Sequence, residues 1–146
     1  MNLSDNGYEV IKSFEGVKNK AYKDSVGIWT VGIGFITVDG QKVNESTTLT
    51  NDQIKEQFFK QITTYENAVN SYVTSEISQN QFDALVSFTF NLGTGSLKSS
   101  TLLKKVNIDP SDSTITTEFA KWCKAGGRVI EGLAKRRAQE AKLYFS

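Results

Sequence analysis

Phe14-Glu15-Gly16, continuing through Ala21-Tyr22-Lys23-Asp24 to Gly27-Ile28-Trp29-Thr30-Val31-Gly32-Ile33-Gly34, is where acids, a hydroxyl and side-chain-free backbone converge. A helical pattern stops at a glycine, a short linker follows, and glycine-studded extended chain begins. Glu15, Asp24 and Thr30 are therefore expected to meet where a helix end faces a small sheet. The result would be a cleft containing two carboxylates.

Ser4 suits an N-cap for a helix over 4–15, and Gly16 suits its left-handed C-cap. Tyr8, Ile11 and Phe14 recur at helical spacing, and Glu15 follows Ile11 by four residues. That places Glu15 on the edge of the apolar stripe, where partial desolvation disfavours the charged carboxylate and suits a general acid. The competing reading is an ordinary solvated last-turn glutamate. From Ile28 onward, Trp29, Val31, Ile33 and Phe35 alternate with Thr30, Gly32, Gly34 and Ile36. The first set makes a core face. The second sets a hydroxyl beside two bare backbone positions that a ligand can approach, although glycines so spaced also mark bends or bulges. Asp24 can equally cap a turn through its own side chain.

Taken together, Glu15-Gly16, Ala21-Tyr22-Lys23-Asp24, Gly27 and Trp29-Thr30-Val31-Gly32-Ile33-Gly34 resemble the catalytic signature of the phage lysozymes of glycoside hydrolase family 24. Two further blocks resemble the lambdoid endolysin branch. They are Asn80-Gln81-Phe82-Asp83-Ala84-Leu85-Val86-Ser87-Phe88 with Phe90-Asn91-Leu92-Gly93, and Trp122 through Gly126-Gly127 to Arg136-Arg137. The resemblance covers nearly the whole chain. It implies an α+β, mostly helical, lysozyme-like fold with a small antiparallel sheet lobe and a helical lobe joined by a long helix. One domain is expected over 1–146, with a β-rich lobe near 15–50, a connecting helix near 51–75, and a helical lobe over 76–146 packed with helix 4–15.

Composition narrows the chemistry. The 146 residues include no histidine and a single cysteine, Cys123. Zinc amidases and zinc peptidases need imidazole or several thiolates, and cysteine peptidases need a histidine partner, so those routes to cell-wall cleavage are unsupported. Paired carboxylates flanking a glycosidic bond remain, and they require no metal or organic cofactor. A formal net charge of +1 gives no long-range argument for nucleic acid. The lone cysteine excludes an internal disulfide and fits a reducing cytoplasm. No apolar run reaches membrane-spanning length, and residues 1–6 show no export signal. The expectation is a protein made in the host cytoplasm, without stable membrane insertion. Its access to the wall would depend on a separate holin.

Past the central stretch, Val38-Asp39-Gly40-Gln41 predicts a tight hairpin. Thr50-Asn51-Asp52-Gln53 and Ser78-Gln79-Asn80-Gln81 read as capping boxes. The first opens a helix with Ile54, Phe58, Ile62, Tyr65, Val69 and Tyr72 on one face. The second opens a helix apolar around most of its circumference, which predicts a buried axis ending at Gly93. Leu97, Leu102, Leu103 and Val106 suggest another short helix, and Ile115, Phe119 and Trp122 the next.

The resemblance implies a monomeric muramidase cutting the β-1,4 bond between N-acetylmuramic acid and N-acetylglucosamine of bacterial peptidoglycan, in the service of phage lysis. Glu15 is then the acid, Asp24 the group that stabilises the transition state and helps activate water, and Thr30 the group that holds that water. Inversion is expected. Gly32, Gly34, Ile36, Phe90, Asn91 and Ser100 are the implied sugar-contacting positions, with core packing the competing role for Phe90. Arg136, or its neighbour Arg137, is implied to orient the acid. The plainer reading of that basic run is a solvated helix face with Glu140 paired at helical spacing. Where the family often has histidine, Phe35 follows Gly34, and its place in the alternation predicts a packing role. A lytic transglycosylase using Glu15 alone, and a wall-binding module without catalysis, are the alternatives.

Overall fold

The computed structural model describes residues 1–146. Helix α1 (Asp5–Glu15) starts under Ser4, whose hydroxyl accepts the Gly7 N–H at 3.0 Å. It ends at Gly16, which adopts φ +72° and donates its N–H to the Lys12 carbonyl at 3.0 Å. A left-handed cap costs least at glycine, so both ends lie where the sequence marks them. Tyr8 and Ile11 are buried, as their spacing requires.

Strands β1 (Lys18–Lys23) and β2 (Trp29–Gly32) form an antiparallel hairpin with Tyr22 opposite Thr30 and Lys23 opposite Trp29. The extended chain expected to run through Ile36 stops at Gly32. Gly32 and Gly34 take φ +67° and +72°, and Val31 and Phe35 exchange backbone hydrogen bonds of 2.9 and 2.8 Å across the resulting turn. The core set persists through this reversal, with Val31, Ile33 and Phe35 at 0%, 3% and 2% exposure. The second hairpin, β3 (Thr37–Val38) and β4 (Gln41–Lys42), turns on Asp39 and Gly40 at φ 49° and 80°, the twist that a two-residue loop demands.

The single helix expected over 51–75 is divided into α2 (Asn51–Gln61) and α3 (Thr63–Tyr72). The Thr50–Gln53 capping box that opens α2 is complete. The ladder breaks at Ile62, beside two β-branched residues, Thr63 and Thr64, where the Thr63 hydroxyl donates to the Lys60 carbonyl at 3.2 Å. A side chain bonded to a carbonyl of the preceding turn competes with the helical ladder there.

The rest of the chain is mainly helical. Helix α4 (Gln79–Leu92) opens on the complete Ser78–Gln81 box and is the buried axis that its composition predicts, with every residue from Phe82 to Thr89 buried. The helix expected around Leu97 to Val106 is a pair, α5 (Thr94–Ser99) and α6 (Thr101–Ile108), followed by α7 (Ile115–Ala120). A hairpin not expected from the sequence, β5 (Lys124–Ala125) and β6 (Arg128–Val129), then turns on Gly126-Gly127 before α8 (Glu131–Tyr144). Its strands are two residues each, too short for an alternation signal to form.

The chain divides into two compact units, Glu9–Thr63 and Met1–Tyr8 with Thr64–Ser146. In the first, Val31, Phe35, Ile54 and Phe58 are among the buried apolar side chains. In the second, α4 packs with α8 and α5, and Phe88 meets Phe119 and Trp122 edge-on at 5.8 and 5.5 Å. The architecture is α+β and mostly helical, with small antiparallel sheets.

Candidate active site

The Glu9–Thr63 unit contains the three residues expected to carry chemistry. Glu15 is the last residue of α1 and is exposed. This corrects the expectation of a partly desolvated acid. Glu15 shares the angular position of Tyr8 and Ile11, but those two are buried earlier in the helix, and the chain leaves the helical path at Gly16.

Asp24 follows β1 and closes the turn to β2. Its Oδ1 accepts the N–H groups of Val26 and Ile28 at 2.9 and 2.8 Å, its backbone carbonyl accepts the Gly27 N–H at 3.0 Å, and its own N–H donates to the Ile28 carbonyl at 2.9 Å. The turn-capping reading of Asp24 is thus correct, and it leaves Oδ2 outside that network. Thr30 is 4% exposed, and its hydroxyl donates to the same Ile28 carbonyl at 2.9 Å. Because Lys23 pairs with Trp29, Asp24 lies across from Ile28, and side-chain alternation sets Asp24 and Thr30 on one face of the hairpin as diagonal neighbours. With its proton committed to a carbonyl, the Thr30 oxygen can only accept from a further group.

Gly32 departs from the ligand-approach reading. A Cβ at this position would lie 2.5 Å from the Phe35 ring, so its bare backbone makes room for a core phenylalanine as well as a positive φ. Gly34 is exposed at φ +72° with nothing within 4 Å of where a Cβ would stand, and Ile36 is 53% exposed. Phe35 packs as expected. The peptide groups of Ile28 hold both Asp24 and Thr30, a contact that sequence patterning does not single out. Its signal is the Asp24-Ser25-Val26-Gly27 turn that precedes it.

A family model described as phage lysozyme matches residues 12–140. The chain belongs to the phage lysozyme family. It is similar to an endolysin of Salmonella phage P22, 36% identical over 147 residues that cover 100% of this chain and 99% of that one. An endolysin of Bacillus phage B103 is 38% identical over 148 residues, which are 100% of this chain and 55% of the relative, so the chain spans about half the length of that protein. Among solved structures, the endolysin from Escherichia coli O157:H7 phage FAHEc1 superposes with a TM-score of 0.91 at 34% identity, covering 100% of this chain and 94% of that one.

The remaining positions implied by the phage lysozyme resemblance lie in the other unit. Phe90 is half-buried and meets Tyr65 edge-on at 5.3 Å. The Asn91 side-chain oxygen accepts from Arg137 at 2.8 Å. Ser100 is 2% exposed, its hydroxyl donating to the Leu97 carbonyl at 2.7 Å and accepting the Leu103 N–H at 3.0 Å. That hydroxyl is a helix cap, and burial removes it from the expected sugar-contacting set.

The Arg136-Arg137 run is not a solvated face. Arg136, Arg137 and Glu140 are 5%, 0% and 0% exposed. Arg136 Nε and Arg137 Nε lie 3.3 and 2.7 Å from Glu140 carboxylate oxygens, Arg136 also donates to the Ser87 carbonyl at 3.2 Å, and the Ser87 hydroxyl donates to Glu140 at 2.5 Å. Burial pushes the Glu140 carboxyl above its ordinary pKa, against the pull of Arg137, Ser87 and Arg136. The pairing of Glu140 was legible from helical spacing; its burial was not.

Proposed function

We propose that the chain is a muramidase of the endolysin type, hydrolysing the β-1,4 bond between N-acetylmuramic acid and N-acetylglucosamine of bacterial peptidoglycan during phage lysis. The observation that carries this reading is the arrangement of Asp24 and Thr30 on one hairpin face, both bonded to Ile28, in a chain of the phage lysozyme family that retains Glu15 at the end of α1.

In this mechanism Glu15 gives its proton to the leaving glycosidic oxygen as the bond to the anomeric carbon breaks. A water donates one proton toward Asp24 Oδ2 and the other toward the Thr30 oxygen, which accepts because its own proton is held by Ile28. That geometry leaves a water lone pair directed at the anomeric carbon. As the new C–O bond forms, Asp24 takes the proton, and the configuration inverts. Inversion requires the Glu15 and Asp24 carboxyl groups to stand about 6.5–9.5 Å apart, leaving space for the water. No helix is long and apolar enough to cross a membrane, and delivery to the wall through a separate holin belongs to the same proposal.

Purified peptidoglycan digested by wild type, Glu15→Gln and Asp24→Asn, with mass and reducing-end analysis of the muropeptides, tests this reading. Reducing N-acetylmuramic ends from wild type, and none above background from Glu15→Gln, are expected. Anhydro ends would reassign the chain to transglycosylase chemistry, and binding without cleavage would make it a wall-binding module.

A further inference from the structure

The first turn of α1 contains Asn6-Gly7, a dipeptide with a covalent chemistry of its own. In a flexible chain the deprotonated backbone nitrogen that follows an asparagine attacks the side-chain Cγ. The new C–N bond closes a succinimide, the carboxamide nitrogen leaves as ammonia, and water opens the ring to aspartate or isoaspartate. Glycine in the second position favours attack most, because no Cβ obstructs its nitrogen. Here Asn6 is exposed and Gly7 is buried. Packing demands the glycine, since a Cβ would lie 2.6 Å from Leu3 Cδ1 and 2.7 Å from Asp83 Cγ.

Three features of the folded turn oppose the reaction. The Gly7 N–H donates to Ser4 Oγ at 3.0 Å, and the Ser4 hydroxyl donates in turn to Asp83 Oδ2, so the proton that must leave is held. Asp83 is 0% exposed and also accepts the Ser4 N–H at 3.1 Å and the Gln79 side-chain amide at 2.8 Å. Its carboxylate, packed against Gly7, disfavours negative charge on the nitrogen beside it. A helical backbone at Asn6, with ψ near about −42°, is also far from the conformation that a five-membered ring imposes.

We propose that Asn6-Gly7 is a latent self-modification site, closed by the Ser4–Asp83 lock and opened when the first turn of α1 comes away from α4. The substrate is the Asn6 carboxamide, the nucleophile is the Gly7 nitrogen, and the co-reactant is water. An isoaspartyl product adds a methylene to the backbone of that turn. The Ser4 hydroxyl and the Gly7 N–H then fall out of register, and the lock cannot re-form. A reversible local opening becomes a permanent one, on the helix that ends in Glu15.

Wild type, Ser4→Ala, Ser4→Thr and Asn6→Gln are incubated at mildly alkaline pH, with and without denaturing urea. The tryptic peptide Met1–Lys12 is then scored for isoaspartate by methyltransferase labelling and by mass. Wild type is expected to convert at least about 10²-fold more slowly when folded than in urea, the scale of a local opening equilibrium. Ser4→Ala should raise the native rate roughly five- to thirty-fold, the lost cap read as a larger open population. Ser4→Thr keeps the hydroxyl and should stay near wild type, and Asn6→Gln should give no isoaspartate in that peptide. Equal rates with and without urea, or equal native rates in wild type and Ser4→Ala, overturn the proposal. Hydrogen exchange of the Gly7 amide in wild type supplies a test that needs no variant to fold. Urea below the unfolding transition should raise Gly7 exchange and isoaspartate formation by the same factor, and conversion that does not follow exchange rejects the lock.

Discussion

Asp24 and Thr30 are tied to one carbonyl: the Ile28 oxygen accepts the Asp24 backbone N–H and the Thr30 hydroxyl, each at 2.9 Å. Both of its lone pairs are thereby used, and the Ile28 N–H returns to Asp24 Oδ1 at 2.8 Å. The two groups assigned to the nucleophilic water are positioned by three hydrogen bonds to a single residue. Their mutual placement follows from the turn and does not rely on long-range packing.

This makes Asp24→Asn and Asp24→Ala different experiments. Asparagine keeps a side-chain oxygen for the Val26 and Ile28 N–H groups, so its melting temperature should stay near wild type while turnover falls by at least about 10²-fold, the usual scale for removing a general base. Alanine removes the turn cap as well, at a cost of about 1–2 kcal/mol. Thermal melts and muropeptide release measured side by side separate the effects. Equal melting temperatures for the two variants would contradict the turn-capping role.

Gly32→Ala should be strongly destabilising. The substitution places a Cβ 2.5 Å from the Phe35 ring at φ +67°, adding about 1–2 kcal/mol of backbone strain to about 1–3 kcal/mol of overpacking. Denaturant unfolding of Gly32→Ala, Phe35→Ala and the double variant checks the cause. The double variant should lose less than the sum of the singles, because truncating Phe35 removes the clash. Phe35→His, which buries a polar ring in the same place, should lower stability by about 1–3 kcal/mol while leaving turnover of the folded protein near wild type.

Glu140→Gln should cost about 3 kcal/mol or more. It removes a carboxylate that both Arg136 and Arg137 contact, within a buried set where the loss of a charge partner is costly. Urea unfolding at neutral pH gives the value directly. A change below about 1 kcal/mol would show that water or rearrangement compensates for the lost charge.

Glu118 gives a pH signature. Burial acts to raise its pKa, but Lys121 and Lys105, at 3.0 and 3.2 Å from its Oε2, outweigh that effect and hold it below the ordinary carboxylate value. A folded-state pKa that is lowered contributes stability above the unfolded value of about 4.3, and that contribution is lost as pH falls through the folded value. Glu118→Gln should therefore melt below wild type at pH 7, with the difference closing as the pH drops below about 4. A constant difference across that range would remove the ion pairs as its cause.

Much of this protein is written locally. Ser4, the two capping boxes, Asp39-Gly40 and Gly16 mark ends and turns because each satisfies backbone groups, or adopts a backbone conformation, within a few residues of itself. Val31, Ile33 and Phe35 are buried as their alternation announced, although the strand ends at Gly32 and the turn carries the last two inward, while Trp29 is only half-buried. The set Glu15, Asp24 and Thr30 was legible as a spacing of residue types, and Asp24 and Thr30 share a face through the register of one hairpin.

Other features required distant residues to arrive. Only packing shows that Gly32 makes room for Phe35, that the Ser100 hydroxyl is spent on capping, and that Glu15 emerges into solvent at the end of an otherwise buried stripe. The Arg136–Glu140 pair reads from helical spacing as a surface contact, and it becomes a buried network once Ser87 of α4 lies against α8. Spacing along the chain sets which side chains share a face. Whether that face meets water or another element is decided by what folds against it, because desolvation is a property of the assembled surroundings and not of the segment.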